Sequence, residues 1–247
     1  MTRRHRTAGL SRRGVVGPRI AQVMSATIHV VNPNSLEAVT RGIDEALEPL
    51  RLTHGPRIEC HTLTDGPPGI QTQRDVEAAI APLMDKVASL DAGAGAGAFV
   101  VACFSDPGLH VLREITTQPV IGIGEAGILT ALTMGQRVGV IAILAASIPR
   151  HLRYYGAMGV MERIASELPV DLGVTELADR ERALARMSEV GATLRDAHGA
   201  DVLVMGCAGM ASMRQRLQDA VGLPVVEPCQ AGVAMAMGRL LLGWNAA

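Results

Sequence analysis

The chain has 247 residues, of which 48% are hydrophobic and only 2% aromatic, and its formal net charge is −1. That length holds one large α/β domain or two modest ones. So few aromatics leave Val, Ile, Leu, Ala and Met to build the core, a mix suited to parallel strands packed against helices. The charge balance gives no reason to expect nucleic acid, and no apolar run approaches the ~18 residues that span a membrane. Four cysteines without CxxC spacing point to reduced thiols in a cytoplasmic protein, not to a disulfide framework.

Residues 1–23 carry six arginines (Arg3, Arg4, Arg6, Arg12, Arg13, Arg19), and the first acidic residue is Glu37. Taking these six from the 23 basic residues leaves 17 against 24 acidic, so the near-neutral total hides an acidic body. Ser11-Arg12-Arg13 has the look of a twin-arginine signal, but no h-region of ~7–15 apolar residues follows, and export is not expected. Residues 1–26 read as a disordered Arg-rich extension, with Met24 as the start of the chain proper.

Thr27 to Val31 is a β-branched run and the first expected strand. Asn32-Pro33-Asn34-Ser35 then turns the chain, with Asn34 or Ser35 expected to cap a helix from Leu36 to about Leu50. Arg57 to Leu63 is the second strand, and Thr64 to Ile70, rich in Pro and Gly, a rigid loop. Gln73 to Leu90 reads as a helix and Asp91 to Gly97 as a loose connector. A third strand ends at Cys103 and a helix follows from about Leu109. Further strands are expected over Pro119–Ile123, Arg137–Ile143, Leu168–Val174, the run before Cys207, and Leu223–Val226. Helices are expected to start near Ser147, to span Glu181–His198, and to span Gly232–Trp244. Alternation of strand and helix throughout predicts a doubly wound α/β fold.

Two stretches organise this pattern. Ala98-Phe99-Val100-Val101-Ala102-Cys103 is a buried-strand run that ends on a cysteine and passes into Phe104-Ser105-Asp106-Pro107-Gly108. Ala200-Asp201-Val202-Leu203-Val204-Met205-Gly206-Cys207 repeats the arrangement before Ala208-Gly209-Met210. Ligands in open α/β sheets bind beyond the carboxyl ends of strands, so both thiols are candidates to face one cleft. Two buried core cysteines would give the same local pattern; the repeated context is what favours function. The repeat predicts two pseudo-symmetric lobes with parallel sheets and an interlobe cleft: residues 27–123 with 227–247 carry Cys103, and 124–226 carry Cys207.

Other chemistries are narrowed. Gly122-Ile123-Gly124-Glu125-Ala126-Gly127 is a literal G-x-G-x-x-G between a strand and a helix, but no Asp or Glu occurs between Glu125 and Glu162, so the acidic ribose partner of a dinucleotide site is missing. Lys86 is the sole lysine, and its helix-surface spacing argues against a Schiff-base cofactor. Cys60 and His61 point to opposite faces of a strand, and His29, His54, His110, His151 and His198 form no ligand-spaced set. No cofactor and no metal are expected. Asp106 is assigned to the turn before Pro107, not to a base.

Val31-Asn32-Pro33-Asn34-Ser35, Asp65-Gly66-Pro67-Pro68-Gly69-Ile70, Cys103 to Leu109, Gly122 to Ala126 and Gly206 to Met210 together resemble the aspartate/glutamate/hydantoin racemase superfamily, and within it the hydantoin and allantoin racemase branch. The resemblance runs from about Ile28 to Leu242. It implies two α/β lobes, an active site between them, no cofactor, and one catalytic cysteine from each lobe at Cys103 and Cys207. An Arg-rich leader departs from the family pattern.

Inverting a stereocentre by proton transfer needs a base on one face of the carbon and an acid on the other. Two thiols on opposite lobes supply both, provided helix N-termini or cations lower their pKa from ~8.5. Backbone donors at Phe104, Ser105, Ala208 and Gly209 are candidates to hold the enolate oxygen, with Phe104 as an apolar wall. The flanks Cys-Phe-Ser and Cys-Ala-Gly suit a neutral cyclic ureide better than a charged amino acid. Asn32 is the leading polar contact, with Glu125 and Ser147 behind it; as turn and cap residues they have structural uses too. The leading expectation is a cofactor-independent racemase of 5-substituted hydantoins or allantoin. Rivals are an aspartate or glutamate racemase, a maleate-type cis–trans isomerase, an arylmalonate-type decarboxylase, a small-molecule-binding protein, and a dithiol redox switch. The expected partners are a small-molecule substrate and further copies of the chain, with no nucleic acid and no membrane.

Overall fold

The computed structural model describes residues 23–244. The arginine cluster lies outside the described residues. Residues 23–26, expected to be disordered, belong to the fold: Val23 is buried and its carbonyl accepts from the Ala26 N–H.

Sixteen regular elements alternate along the described chain. They are β1 (Thr27–Asn32), α1 (Glu37–Ala46), β2 (Arg57–Thr62), α2 (Gln73–Asp91), β3 (Ala96–Val101), α3 (Leu109–Ile115), β4 (Val120–Gly122) and α4 (Ile123–Ala131), followed by β5 (Val138–Ala142), α5 (Ile148–Ala157), β6 (Ile164–Pro169), α6 (Arg180–Asp196), β7 (Val202–Met205), α7 (Arg214–Val221), β8 (Val225–Val226) and α8 (Pro228–Leu242). Short 3-10 turns fill several joints, among them Ala208–Met213.

Two four-stranded sheets result, in orders β2-β1-β3-β4 and β6-β5-β7-β8, and every pairing is parallel. The two orders are the same once the second is renumbered from its own first strand. In such a sheet the crossovers diverge between the first and third strands, which opens a crevice at their carboxyl ends. Asn32–Asn34 and Cys103 leave β1 and β3 at the first crevice. Ile143–Arg150 and Cys207 leave β5 and β7 at the second.

Successive strand residues point to opposite faces. Ile28, Val30, Ala98 and Val100 face a main core that continues through α4 and α8 to Val138, Val140, Val202 and Val204 of the second sheet. The lobes thus share one hydrophobic body. Val31, Phe99 and Val101 face a second layer, closed by Leu83 and Val87 of α2 and by Leu109 and Leu112 of α3.

Local chemistry sets several boundaries away from their expected places. Helix α1 has no side-chain cap; Asn34 Oδ1 instead accepts from the Leu36 N–H at 2.9 Å. Ser147 does not cap α5 either, since its hydroxyl donates back to the Leu144 carbonyl at 2.7 Å. Thr72 and Asp75 form a reciprocal capping box that starts α2. Strand β6 begins at Ile164, earlier than expected, because its register on β5 pairs Val138 with Ile164. Helix α8 starts at Pro228, not Gly232, because the Glu227 carboxylate accepts from the N–H groups of Cys229 and Gln230.

Candidate active site

Cys103 lies two residues past the end of β3. The Ala102 N–H still bonds the Val31 carbonyl of β1 at 2.9 Å, and the Asp106 N–H closes a turn onto the Cys103 carbonyl at 2.9 Å. Asp106 takes a left-handed φ of 44°, which Asp tolerates better than most residues. Its carboxylate accepts from the N–H groups of Gly124 (2.9 Å) and Glu125 (2.8 Å) and from the Tyr154 hydroxyl (2.7 Å). Burial raises it to about 7 despite those donors.

The glycine pattern has its explanation here. A Cβ at Gly122 would meet the Asp106 carboxylate at 2.3 Å, and one at Gly124 the Phe104 carbonyl at 2.3 Å. The first turn of α4 therefore receives a carboxyl group supplied by the chain itself, and Gly122 and Gly124 make room for it, while Gly127 lets Pro228 and Val204 pack closely.

Cys207 lies two residues past β7 and caps the 3-10 turn, its Sγ accepting from the Gly209 N–H at 3.4 Å. Both thiols are free and half-buried. They line a common cleft together with Asn34, Ile70, Arg150 and His151. Of the other expected contacts, Phe104, Ser105, Ala208 and Gly209 also line it.

Three expected contacts lie elsewhere. Asn32 is buried below the cleft, donating to Asn34 Oδ1 (3.0 Å), the Leu36 carbonyl (3.3 Å) and Thr40 Oγ1 (3.1 Å). It holds the loop that presents Asn34. Asn34 Oδ1 is fully engaged by Asn32 and Leu36, while no acceptor among the described residues takes its Nδ2. Glu125 pairs with Arg113, and Ser147 is fully buried against Leu144.

The sequence reading missed Arg150 and His151. Arg150 donates from Nε to Ser105 Oγ (2.8 Å) and from Nη1 to the Gln71 carbonyl (3.0 Å). Ser105 Oγ also meets His151 Nε2 at 3.1 Å. His151 Nδ1 lies 2.6 Å from Glu167 Oε1, and the Tyr155 hydroxyl donates to Glu167 Oε2 at 2.9 Å. A carboxylate accepts only, so the imidazole proton resides on Nδ1 and Nε2 addresses Ser105. The available signal was position: Pro149-Arg150-His151 opens the helix after β5, at the carboxyl edge of the second sheet.

The thiols are not lowered, contrary to the expectation from helix N-termini. Burial pushes Cys103 up to about 12, with Cys207 and Asp106 adding to the rise and the Ser105 N–H and Arg150 opposing it. Cys207 reaches about 11, opposed by the Gly209 N–H and Arg150. Desolvation of the thiolate outweighs the donors aimed at it. Cys60 is likewise raised, to about 12, and Cys229 is fully buried in the first turn of α8.

A cleft between two matched parallel sheets with a thiol from each now stands beside known proteins. Residues 28–236 match the model of the Asp/Glu/Hydantoin racemase family. The chain belongs to that family. It lies in the hydantoin and allantoin racemase branch and is an enzyme of the isomerase class. It is 35% identical over 222 residues to a hydantoin racemase of Rhizobium meliloti, covering 88% of this chain and 90% of the relative. A hydantoin racemase of Paenarthrobacter aurescens is 31% identical, with 88% and 92% covered. Among solved structures, an allantoin racemase from Klebsiella pneumoniae superposes with a TM-score of 0.82 at 28% identity, covering 90% of each chain. No described helix of this racemase is long and apolar enough to cross a membrane.

Proposed function

We propose that this racemase inverts the α-carbon of 5-substituted hydantoins or of allantoin by proton transfer between Cys103 and Cys207. The observation that carries the reading is the delivery of both thiols to one cleft by equivalent strands of two sheets. One cysteine, as thiolate, takes the α-proton, and the C–H electron pair passes into the enolate. The opposite thiol donates its proton to the other face of the carbon and becomes the thiolate of the reverse reaction.

Supporting groups are at hand. Asn34 Nδ2 is suited to a ureide carbonyl, and Arg150 acts on both thiols as the nearby cation. The Ser105 and Gly209 N–H groups are directed at sulfur, so they stabilise thiolate before they serve an enolate oxygen. Phe104, edge-on to His151 with ring centroids 5.2 Å apart, gives the cleft an apolar side. Nothing in the proton transfer calls for a cofactor.

One observation favours a second reading. Arg150 supplies the cation that the cysteine flanks lack, and a cation suits the carboxylate of an amino acid. Polarimetry of the purified protein with 5-substituted hydantoins, allantoin, aspartate and glutamate, with maleate followed by ultraviolet absorbance, separates the two. Loss of optical rotation with a hydantoin or allantoin is expected. Racemisation of aspartate or glutamate alone, or isomerisation of maleate alone, would overturn the ureide assignment.

A further inference from the structure

On the outer face of the first sheet, away from the thiol cleft, a second set of residues is brought together by strand register. Strand β1 pairs His29 with Glu59 and Val31 with His61 on β2. Glu59 and His61 are two apart and share a face, the face to which His29 and Phe99 turn. Because β2 is the edge strand, this face is open on one side. The sequence alone separates His29 from His61 by more than thirty positions and shows no set; only the pairing reveals it.

The three side chains converge closely. His29 Nδ1 lies 3.0 Å from His61 Nε2 and 3.9 Å from Glu59 Oε2, and one ligand atom from each residue falls within 4.8 Å of the other two. A tetrahedral zinc ion with ligand bonds of ~2.0–2.1 Å requires ligand atoms about 3.3 Å apart, and the observed separations bracket that value. Phe99 stacks on His29 with ring centroids 5.6 Å apart, which fixes the buried imidazole in place. Glu59 and His61 are on the accessible side, which leaves an entry path and room for a water as fourth ligand.

We infer that His29, Glu59 and His61 form a binding site for a divalent transition metal of the zinc type, clamping edge strand β2 to β1. Two imidazoles and one carboxylate with an open position match the donor set such ions take. The groups opposing a cation are Lys86 of α2, which acts on both histidines, and Arg57, which acts on His29. Glu59, with a smaller contribution from Asp91 at His29, favours one. The inference stands apart from the proposed reaction, since none of the three ligands lines the thiol cleft.

Cleft thiols also bind zinc-type ions, so the test removes them. The full chain carrying Cys103→Ser and Cys207→Ser is titrated calorimetrically with Zn²⁺, and Co²⁺ spectra are recorded on the same protein. The expected result is one equivalent bound per chain, with a Co²⁺ spectrum free of thiolate charge transfer and a rise in Tm on adding metal. His61→Gln and Glu59→Gln, both accessible positions that leave the core intact, should each weaken binding at least tenfold. Lys86→Gln should tighten it several-fold. Absence of stoichiometric binding, a thiolate signature in the serine background, or affinity unchanged by both His61→Gln and Glu59→Gln would overturn the site.

Discussion

The Cys103 and Cys207 strand ends occupy the same place in two sheets of the same order, yet they are built differently. The Cys103 end is heavily braced. Asp106 ties its turn to α4 and Tyr154, and Ser105 is held by Arg150 and by His151, behind which stand Glu167 and Tyr155. The Cys207 end has one N–H at sulfur and a short 3-10 turn. The bracing has an electrostatic side: beyond burial and the charge of Cys207, Asp106 adds to the rise at Cys103, while no carboxylate acts on Cys207. Both thiols are raised by burial, and topological equivalence of two strand ends does not make their surroundings chemically equal.

The largest effect comes from removing either thiol. Cys103→Ser and Cys207→Ser should each reduce racemisation by more than the ~10²–10⁴ typical of one acid–base group, because a serine hydroxyl does not ionise near neutral pH. Polarimetric kcat on a 5-substituted hydantoin checks this. Near-normal turnover in one variant would reduce the site to a single cysteine.

Next comes the bracing. His151 and Glu167 are both buried, and His151→Leu leaves the carboxylate with Tyr155 alone. A loss of stability of about 3–5 kcal/mol in denaturant unfolding is expected, as for a broken buried pair. The double variant His151→Leu, Glu167→Leu should recover much of it. In whatever fraction folds, exchange by Cys103 should suffer more than exchange by Cys207; equal loss would show that the bracing does not act through Ser105.

The pH profile follows from the raised thiols. The reacting species is the thiolate and both thiols titrate well above neutrality, so kcat/KM should climb about tenfold per pH unit from pH 7. A plateau beginning at pH 7 would mean that neither thiol is raised in the working enzyme. The smallest change is Arg150→Met, expected to lower kcat/KM at fixed pH by about tenfold, equivalent to one unit of thiolate pKa. The rising limb should shift to higher pH, and an unshifted limb would remove Arg150 from the electrostatics of the thiols.

The alternation of elements, both cysteine strand ends and the parallel sheets were readable in the sequence because they depend on local signals: buried runs ended by small or turn-forming residues. The contents of the cleft were less so. Asn32 stands at the carboxyl end of β1, yet its amide is consumed by Thr40 and Leu36, residues that reach it only after α1 folds back. Asn34, two positions on, is left with a free Nδ2. Arg150 and His151 meet Ser105 across more than forty positions of sequence, a contact fixed by how two sheets share a core. The direction of the thiol pKa shifts was misjudged for a similar reason: the N–H donors are local and visible, whereas burial is a property of the assembled lobes.

The central claim is that Cys103 and Cys207 act on opposite faces of one carbon. The direct measurement is deuterium incorporation from deuterated water into pure D and pure L 5-substituted hydantoins by each Cys→Ser variant. Each variant should exchange the α-proton only of the enantiomer that faces its surviving cysteine, returning it with configuration retained, and the two variants should prefer opposite enantiomers. Loss of exchange for both enantiomers in one variant, with near-normal racemisation in the other, would contradict the two-thiol account and leave a single nucleophilic cysteine.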